Sequence, residues 1–67
     1  MFFKFYDRDK TVINCNELAY YKVIFSEYKN QYVINLYFIH GKETSTYYDT
    51  KNACDKDYNR LYEFLNK

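Results

Sequence analysis

The stretch Gln31–His40 reads QYVINLYFIH and is the most apolar run in the chain. β-branched and aromatic residues dominate it, interrupted only by Asn35, which favours a strand over a helix. Successive side chains of a strand point to opposite sides, so its two faces are Tyr32/Ile34/Leu36/Phe38 and Val33/Asn35/Tyr37/Ile39. Both faces are apolar, whereas a core against one helix needs only one of them.

The segments around this run predict more strands and one helix. Alternating or β-branched stretches bounded by turn residues predict strands at about 2–6, 11–14, 18–28, 32–39 and 44–48. From about residue 51 the apolar period becomes 3.6, which predicts a helix over about 51–66 with one apolar stripe: Cys54, Tyr58, Leu61, Tyr62 and Leu65. Lys56, Asn59, Arg60 and Glu63 are then expected to face away from the core. We expect one α+β domain over 1–67, a five-stranded antiparallel β-meander with one C-terminal α-helix packed on one face.

The hairpin around residue 30 sets which side chains share a face. A two-residue loop at Lys29 and Asn30 makes an apolar cross-strand set, pairing Phe25 with Ile34, Val23 with Leu36 and Tyr21 with Phe38. A three-residue loop would place Lys22 opposite Phe38 and flip every side chain. We therefore predict the two-residue loop and an open face, away from the helix, that carries Tyr20, Lys22, Ile24, Ser26, Val33, Asn35, Tyr37 and Ile39.

Composition bounds the class of protein. A chain of 67 residues buries only about 60% of its unfolded surface, and ten Tyr and six Phe supply much of that burial. The sequence has no apolar run long enough to span a membrane and no signal peptide, so we expect a cytoplasmic location and no membrane partner. Two cysteines do not make a disulfide framework; we expect Cys15 and Cys54 to be reduced, with a disulfide or a metal site as alternatives.

Few residues suit catalysis. The single histidine, His40, is predicted on a turn, Ser26 and Ser45 lie within predicted strands, and no glycine-rich loop could hold a phosphate. We expect no catalytic residues, no metal site and no cofactor. The net charge is +1 and the charges alternate in sign, so the basic stripe of most nucleic-acid-binding proteins is missing.

Four segments give the chain a resemblance to known proteins: the opening FFKF, then VINCNEL, YYDTKNA and finally DYNRLYEFL. With them the chain is similar to short uncharacterised proteins of low-GC Gram-positive bacteria and their phages. In size and composition it also resembles phage anti-CRISPR and other anti-defence proteins. That resemblance implies a non-enzymatic inhibitor acting in the host cytoplasm, with a host protein such as a defence nuclease as its partner.

The open face is the main functional clue. Tyrosines with scattered polar groups are typical of protein interfaces, so we predict an interface formed by Tyr20, Lys22, Ile24, Val33, Asn35, Tyr37 and Ile39. Two alternatives stay open: the face closes a homodimer, or it stacks single-stranded nucleic acid.

Overall fold

The computed structural model describes residues 1–66, and Lys67 lies outside the described residues. In chain order it contains β1 (Phe2–Lys4), β2 (Val12–Asn14), a 3-10 turn (Cys15–Glu17), β3 (Leu18–Ser26), β4 (Gln31–Phe38), β5 (Glu43–Tyr48) and α1 (Lys51–Leu65). The predicted class, antiparallel strands followed by one C-terminal helix, is confirmed. The first and third strands are shorter than predicted, and the helix ends at Leu65.

The predicted single five-stranded meander is wrong. The strands form two antiparallel sheets, β1-β2 and β3-β4-β5. After β2 the chain makes a 3-10 turn in place of a hairpin loop: the Asn14 side chain accepts from the backbone N–H of Asn16 at 3.1 Å, and the Cys15 N–H bonds back to the carbonyl of Met1 at 2.8 Å. Residues past the end of β2 therefore keep pairing with the start of the chain rather than with β3.

The β3-β4 register also differs from the prediction. Phe25 pairs with Tyr32, Val23 with Ile34 and Tyr21 with Leu36, because the turn contains four residues, Glu27–Asn30, and not two. Asn30 does adopt the left-handed conformation, with φ of 52°. The register is shifted by two residues, and a shift of two leaves every side chain on its predicted face.

The β4-β5 hairpin turns at the chain's single glycine, as predicted. Gly41 has φ of +89°, a conformation that side chains rarely adopt. Its N–H bonds to the Phe38 carbonyl at 3.0 Å, and the Phe38 N–H bonds to the carbonyl of Lys42 at 2.9 Å. The resulting register places Ile34 opposite Thr46 and Val33 opposite Tyr47.

One hydrophobic cluster holds both sheets and the helix together. Phe5, Ile34, Leu36, Cys54 and Leu61 are completely buried in it, joined by Phe3, Ile13, Cys15 and Tyr48. The β1-β2 hairpin thus packs on the same side of the three-stranded sheet as α1. Burying these side chains under the helix outweighs the backbone bonds that a β2-β3 pairing would add, since each such bond contributes only about 1 kcal/mol net.

The N-cap residue determines where α1 begins, and the apolar stripe determines which side of it faces the core. Thr50 caps α1 by accepting from the Ala53 N–H at 3.2 Å. Cys54 and Leu61 are buried as predicted, but Tyr62 is 54% exposed. Phe64 packs against the core in the place predicted for Tyr62, with its ring 5.2 Å from that of Phe3.

A buried carboxylate joins the hairpin, the sheet and the helix. Asp57 is 1% exposed and accepts three hydrogen bonds, from the Tyr6 N–H at 2.7 Å, the Tyr48 hydroxyl at 2.7 Å and the Arg60 guanidinium at 2.8 Å. Arg60 also donates to the Lys4 carbonyl and lies over the rings of Phe3 and Tyr6, at 4.8 and 4.2 Å. The expectation that Arg60 faces solvent with Lys56 is therefore wrong; its guanidinium is held between β1 and the helix.

Removing this carboxylate should be among the most damaging single changes. Asp57→Ala leaves a partly buried amide, a buried hydroxyl and a half-buried guanidinium without their acceptor; removing one partner of a fully buried pair costs about 3–5 kcal/mol, which sets the upper bound here. Because a domain of this size has a total stability of about 3–5 kcal/mol, Asp57→Asn, which retains one acceptor oxygen, provides the measurable variant and should lose roughly 1–3 kcal/mol. Urea unfolding followed by circular dichroism measures both.

Asp55→Ala is the matched control on the same helix. Asp55 pairs with Lys51 at 2.8 Å, and both side chains are about half exposed or more. Such a surface pair contributes less than about 1 kcal/mol. Equal losses for Asp55→Ala and Asp57→Asn would contradict the central role given to Asp57.

Candidate functional site

The face of the three-stranded sheet opposite the core is built from three rows of paired residues. The register places Tyr20, Tyr37 and Glu43 in one row, Lys22, Asn35 and Ser45 in the next, and Ile24, Val33 and Tyr47 in the third. Both α1 and the β1-β2 hairpin pack on the other side of this sheet. From here on, the open face means these nine residues, which replace the eight predicted from the sequence.

The first row contains a pre-formed aromatic pair. The rings of Tyr20 and Tyr37 are stacked, with centroids 4.4 Å apart and planes 13° from parallel. Tyr20 is 58% exposed, Tyr37 is half-buried, and the ammonium group of Lys22 lies 5.6 Å from the Tyr37 ring. A regular pairing holds the two rings here although the strand has a bulge between Leu18 and Tyr20.

The middle row is polar and internally bonded. The Ser45 hydroxyl donates to the side-chain oxygen of Asn35 at 2.7 Å, and both residues are half-buried. Asn35, the one residue that interrupts the apolar run, thus has a cross-strand partner. Lys22 completes this row and is exposed.

The third row is apolar, and one predicted interface residue in it is buried. Val33 is 3% exposed because it lies on the central strand between Ile24 and Tyr47, so it supports its neighbours and offers little surface. Ile24 and Tyr47 are 41% and 37% exposed. The Lys29 ammonium group lies 5.0 Å from the centre of the Tyr47 ring.

Not every predicted site residue lies within the open face. Ile39 follows the last residue of β4, is 69% exposed, and donates its N–H to the Glu17 carbonyl at 2.8 Å, so it belongs to the turn. Ser26 ends β3, where its hydroxyl accepts from the Lys29 N–H. Glu43, Ser45 and Tyr47 were missed. The register of the last hairpin was needed to place them, although the alternation within ETSTYY identifies them as one face of β5.

A polar cleft of about 520 Å³ lies at the end of the sheet where β5 meets the helix. The turn Asp7–Lys10 forms one wall, and Lys29, Asp49 and Thr50 form another. Two of its three acids have partners within the chain: Asp7 accepts from the N–H and hydroxyl of Thr11 at 2.8 Å, and Asp49 contacts Arg8 and Gln31. Opposite charges therefore compensate each other within this cleft.

The imidazole of His40 and the thiols of Cys15 and Cys54 lie outside this cleft. His40 pairs with Glu17 at 3.4 Å on the surface. Cys15 and Cys54 are free and buried in the core cluster, in agreement with the expected reduced state. Among residues 1–66, no cluster of three or more His, Cys, Asp or Glu side chains could hold a metal ion.

Burial also controls the ionisation of several acidic groups. It raises the pKa of the Cys54 thiol to about 11, with a further contribution from Asp55 and Asp57. It raises the pKa of Cys15 and, together with the hydrogen bond to Asp57, that of the Tyr48 phenol well above its usual value. These groups therefore stay protonated at neutral pH.

Comparisons with protein-family models, with curated proteins and with solved structures give no match for this chain. The resemblance drawn from the sequence stays a hypothesis, and any functional argument depends on the surface itself. Within residues 1–66, no helix is long and apolar enough to cross a membrane.

The buried thiol should make stability depend on alkaline pH. Below the ordinary thiol pKa of 9.0 the folded and unfolded chains both keep the Cys54 proton; above it the unfolded chain loses the proton first. The free energy of unfolding should therefore fall as the pH rises from about 9 towards about 11. Urea titrations across this range measure the slope.

Cys54→Ala tests the assignment. The alanine variant loses packing at every pH, but its decline just above pH 9 should be shallower, because the thiol no longer contributes to proton release. Cys15, whose thiol pKa is also raised by burial, still contributes from about pH 9, and Tyr48 and Tyr21 contribute above pH 10. Parallel curves for the two proteins between pH 9 and 10 would show that Cys54 is not responsible.

Proposed function

We propose that this chain is a non-catalytic protein-binding module that acts by occupying a surface of its partner through the open face. The observation that carries the proposal is the stacked Tyr20/Tyr37 pair, displayed beside Ile24, Tyr47 and Lys22 on a sheet face opposite the core. Tyrosine is enriched at protein interfaces because its ring supplies apolar contact area and its hydroxyl a hydrogen bond.

Pre-organisation supports this proposal. Binding through flexible side chains loses about 0.5–1.5 kcal/mol for each one that becomes ordered. Here Tyr20 and Tyr37 already stack on each other, and the Ser45–Asn35 hydrogen bond fixes the row beside them. Much of the ordering that an interface requires is therefore present in the free domain.

The charges of the open face favour a mixed, protein-like partner surface. Lys22 lies in the middle row on the edge strand β3, and Glu43 lies on the other edge strand, β5, next to Tyr37. A face with one charge of each sign around aromatic residues fits a protein surface with an apolar centre and a polar rim. It has no strong net potential to attract a polyanion.

As for the partner, we propose a host protein, with a defence nuclease as one candidate class, and a phage or mobile element as the source of the gene. Two features support this. Phe, Tyr, Met, Ile, Asn and Lys, whose codons are rich in A and T, make up 36 of 67 residues, and small size with a single contact face suits an inhibitor that blocks a site sterically.

Tyr20→Ala tests the open face. More than half of this ring is exposed, so the fold should persist, while the aromatic pair is lost. Aromatic anchors at the centre of an interface contribute about 2 kcal/mol or more, so we expect affinity for a captured and purified host partner to fall at least about 30-fold. Affinity capture from the native host, followed by titration with the identified partner, measures this change.

Lys56→Ala serves as the control, because Lys56 is exposed on the helix, across the domain from the open face. The affinity of Lys56→Ala for the partner should stay within about twofold of that of the unmodified protein. If Tyr20→Ala and Lys56→Ala both bind normally while their circular dichroism is unchanged, the open face is not the contact surface. Partner binding through the exposed helix face would instead weaken Lys56→Ala alone.

A second candidate function, weak binding of single-stranded nucleic acid, is favoured by one observation. Two lysines lie close to tyrosine rings on this face, Lys22 beside Tyr37 and Lys29 beside Tyr47, at 5.6 and 5.0 Å. Aromatic rings flanked by cations can stack bases and contact phosphates. Glu43 begins β5 and Asp49 follows its last residue, so a carboxylate lies at each end of this strand and opposes a polyanion.

Titration of the protein with a labelled oligothymidine at several salt concentrations tests the second candidate function. With two lysines contacting phosphate, the logarithm of the association constant should fall with the logarithm of salt concentration with a slope of about −1.4. Lys22→Ala should reduce that slope by about half, and Lys56→Ala should leave it unchanged. Absence of binding at low salt would remove nucleic acid from consideration.

A further inference from the structure

The outer edge of β3 is the largest unused hydrogen-bonding surface of the fold. In the sheet order β3-β4-β5, β3 pairs on one side with β4, and within residues 1–66 no strand pairs with its other side. An edge strand presents a row of backbone N–H and C=O groups that can pair with another strand. β3 is nine residues long, against six for β5, the other edge.

β3 is apolar and exposed on both of its faces. Ile24 is 41% exposed on the open face, and Val23 and Phe25 are 40% and 45% exposed on the face that bears the helix. The cause is the position of α1, which packs across β4 and β5 and meets β3 at Tyr21, whose ring lies 5.5 Å from that of Tyr58. Beyond Tyr21 the helix leaves Val23 and Phe25 uncovered.

Natural edge strands are usually protected by charges, proline or bulges. The protection on β3 is confined to its start, where a bulge lies between Leu18 and Tyr20. From Tyr20 to Ser26 the strand pairs regularly with β4, contains no proline or glycine, and carries a single charge, that of Lys22. Seven strand residues span about 24 Å, which matches the middle dimension of a domain measuring 30 × 24 × 18 Å.

This seven-residue segment is complementary to itself in one register. Residues that face each other in an antiparallel pair share a face, so the two-fold axis must pass midway between the two copies of one residue of β3. An axis at Val23 pairs the whole of Tyr20–Ser26 with its copy, and Phe25 of each chain then opposes Tyr21 of the other. An axis at Lys22 would place two ammonium groups opposite each other, which is destabilising, and one at Ile24 would pair only five residues.

We infer that β3 pairs antiparallel with β3 of a second copy of this chain, about a two-fold axis at Val23, to form a continuous six-stranded sheet. Pairing satisfies the free backbone groups of both edges, and the second copy covers the exposed apolar groups of Val23, Ile24 and Phe25. Both open faces lie on one side of the joined sheet, so the dimer displays two Tyr20/Tyr37 pairs. The dimer does not rest on the proposed function, because the strand edge and the sheet face are different surfaces.

Cysteine cross-linking tests the register directly. Val23→Cys places two thiols at the axis, within the 4.4–6.8 Å Cα separation that a disulfide requires. In this register two Lys22→Cys thiols would lie on strands offset by two residues, roughly 8 Å apart between Cα atoms, which a disulfide cannot bridge without backbone movement. Under mild oxidation the cross-linked dimer fraction should be at least about tenfold higher for Val23→Cys than for Lys22→Cys.

The unmodified chain is the background control, because its own thiols, Cys15 and Cys54, are buried. It should give no cross-linked dimer. Under reducing conditions Val23→Cys should show the circular dichroism of the unmodified protein, which establishes that the fold survives.

Light scattering over a dilution series provides the second measurement. The mass of the unmodified chain should fall from that of a dimer towards that of a monomer as the protein is diluted, while Val23→Lys, which puts a charge at the axis, should stay monomeric at every concentration. A monomer mass at all concentrations for the unmodified chain would overturn the proposal. So would equal cross-linking of the two cysteine variants, or a dimer that persists in Val23→Lys, which would point to pairing through the open face.

The outcomes separate this inference from the proposed function. If Val23→Lys becomes monomeric and still captures the host partner, the dimer is confirmed and the open face acts in each subunit alone. If Tyr20→Ala loses the partner but keeps the dimer mass, the two surfaces are independent.

Discussion

The carboxylate of Asp57 is the interaction on which the arrangement of this fold depends. Within residues 1–66 the two sheets share no strand pairing, so the β1-β2 hairpin is held to the rest of the domain by its buried side chains and by this group. Asp57 bonds the chain after β1 through Tyr6, the end of β5 through Tyr48, and its own helix through Arg60. A buried charge is tolerated only where its acceptor capacity is used, and here three donors surround it. Meeting that requirement holds the segment after β1 against the helix.

The same arrangement explains why one side of the three-stranded sheet is left uncovered. The hairpin and the helix both pack on one side of that sheet, where they enclose Phe5, Ile34, Leu36 and Leu61. Within residues 1–66 no other element covers the opposite side of the sheet. The helix is also centred on β4 and β5, which leaves β3 half exposed. The open face and the free edge of β3 thus both follow from the way the hairpin and the helix pack on one side of the sheet.

Much of this could be predicted from the sequence. The order and type of the elements, the left-handed turn residues Asn30 and Gly41, and the two faces of β4 follow from local patterns of apolar residues and turn residues. The prediction of which side chains share a face was correct even though the predicted hairpin register was wrong by two residues, because side chains alternate with a period of two. The stacked pair of Tyr20 and Tyr37 could be expected on one face but not as neighbours, since its contact depends on the register that the four-residue turn sets.

What the sequence determined by itself was the set of strands and the helix, and the side of the sheet to which the side chains of β3 and β4 point, since period and turn chemistry are local properties of the chain. Tertiary structure decided the rest: that β2 leaves the sheet, that Val33 is buried between its neighbours, and that Arg60 turns inward to Asp57. A charged pair spaced three residues apart reads as solvated helix surface until another element approaches it. Whether such a pair is buried or solvated depends on that approach, and no short stretch of sequence encodes the distances between elements.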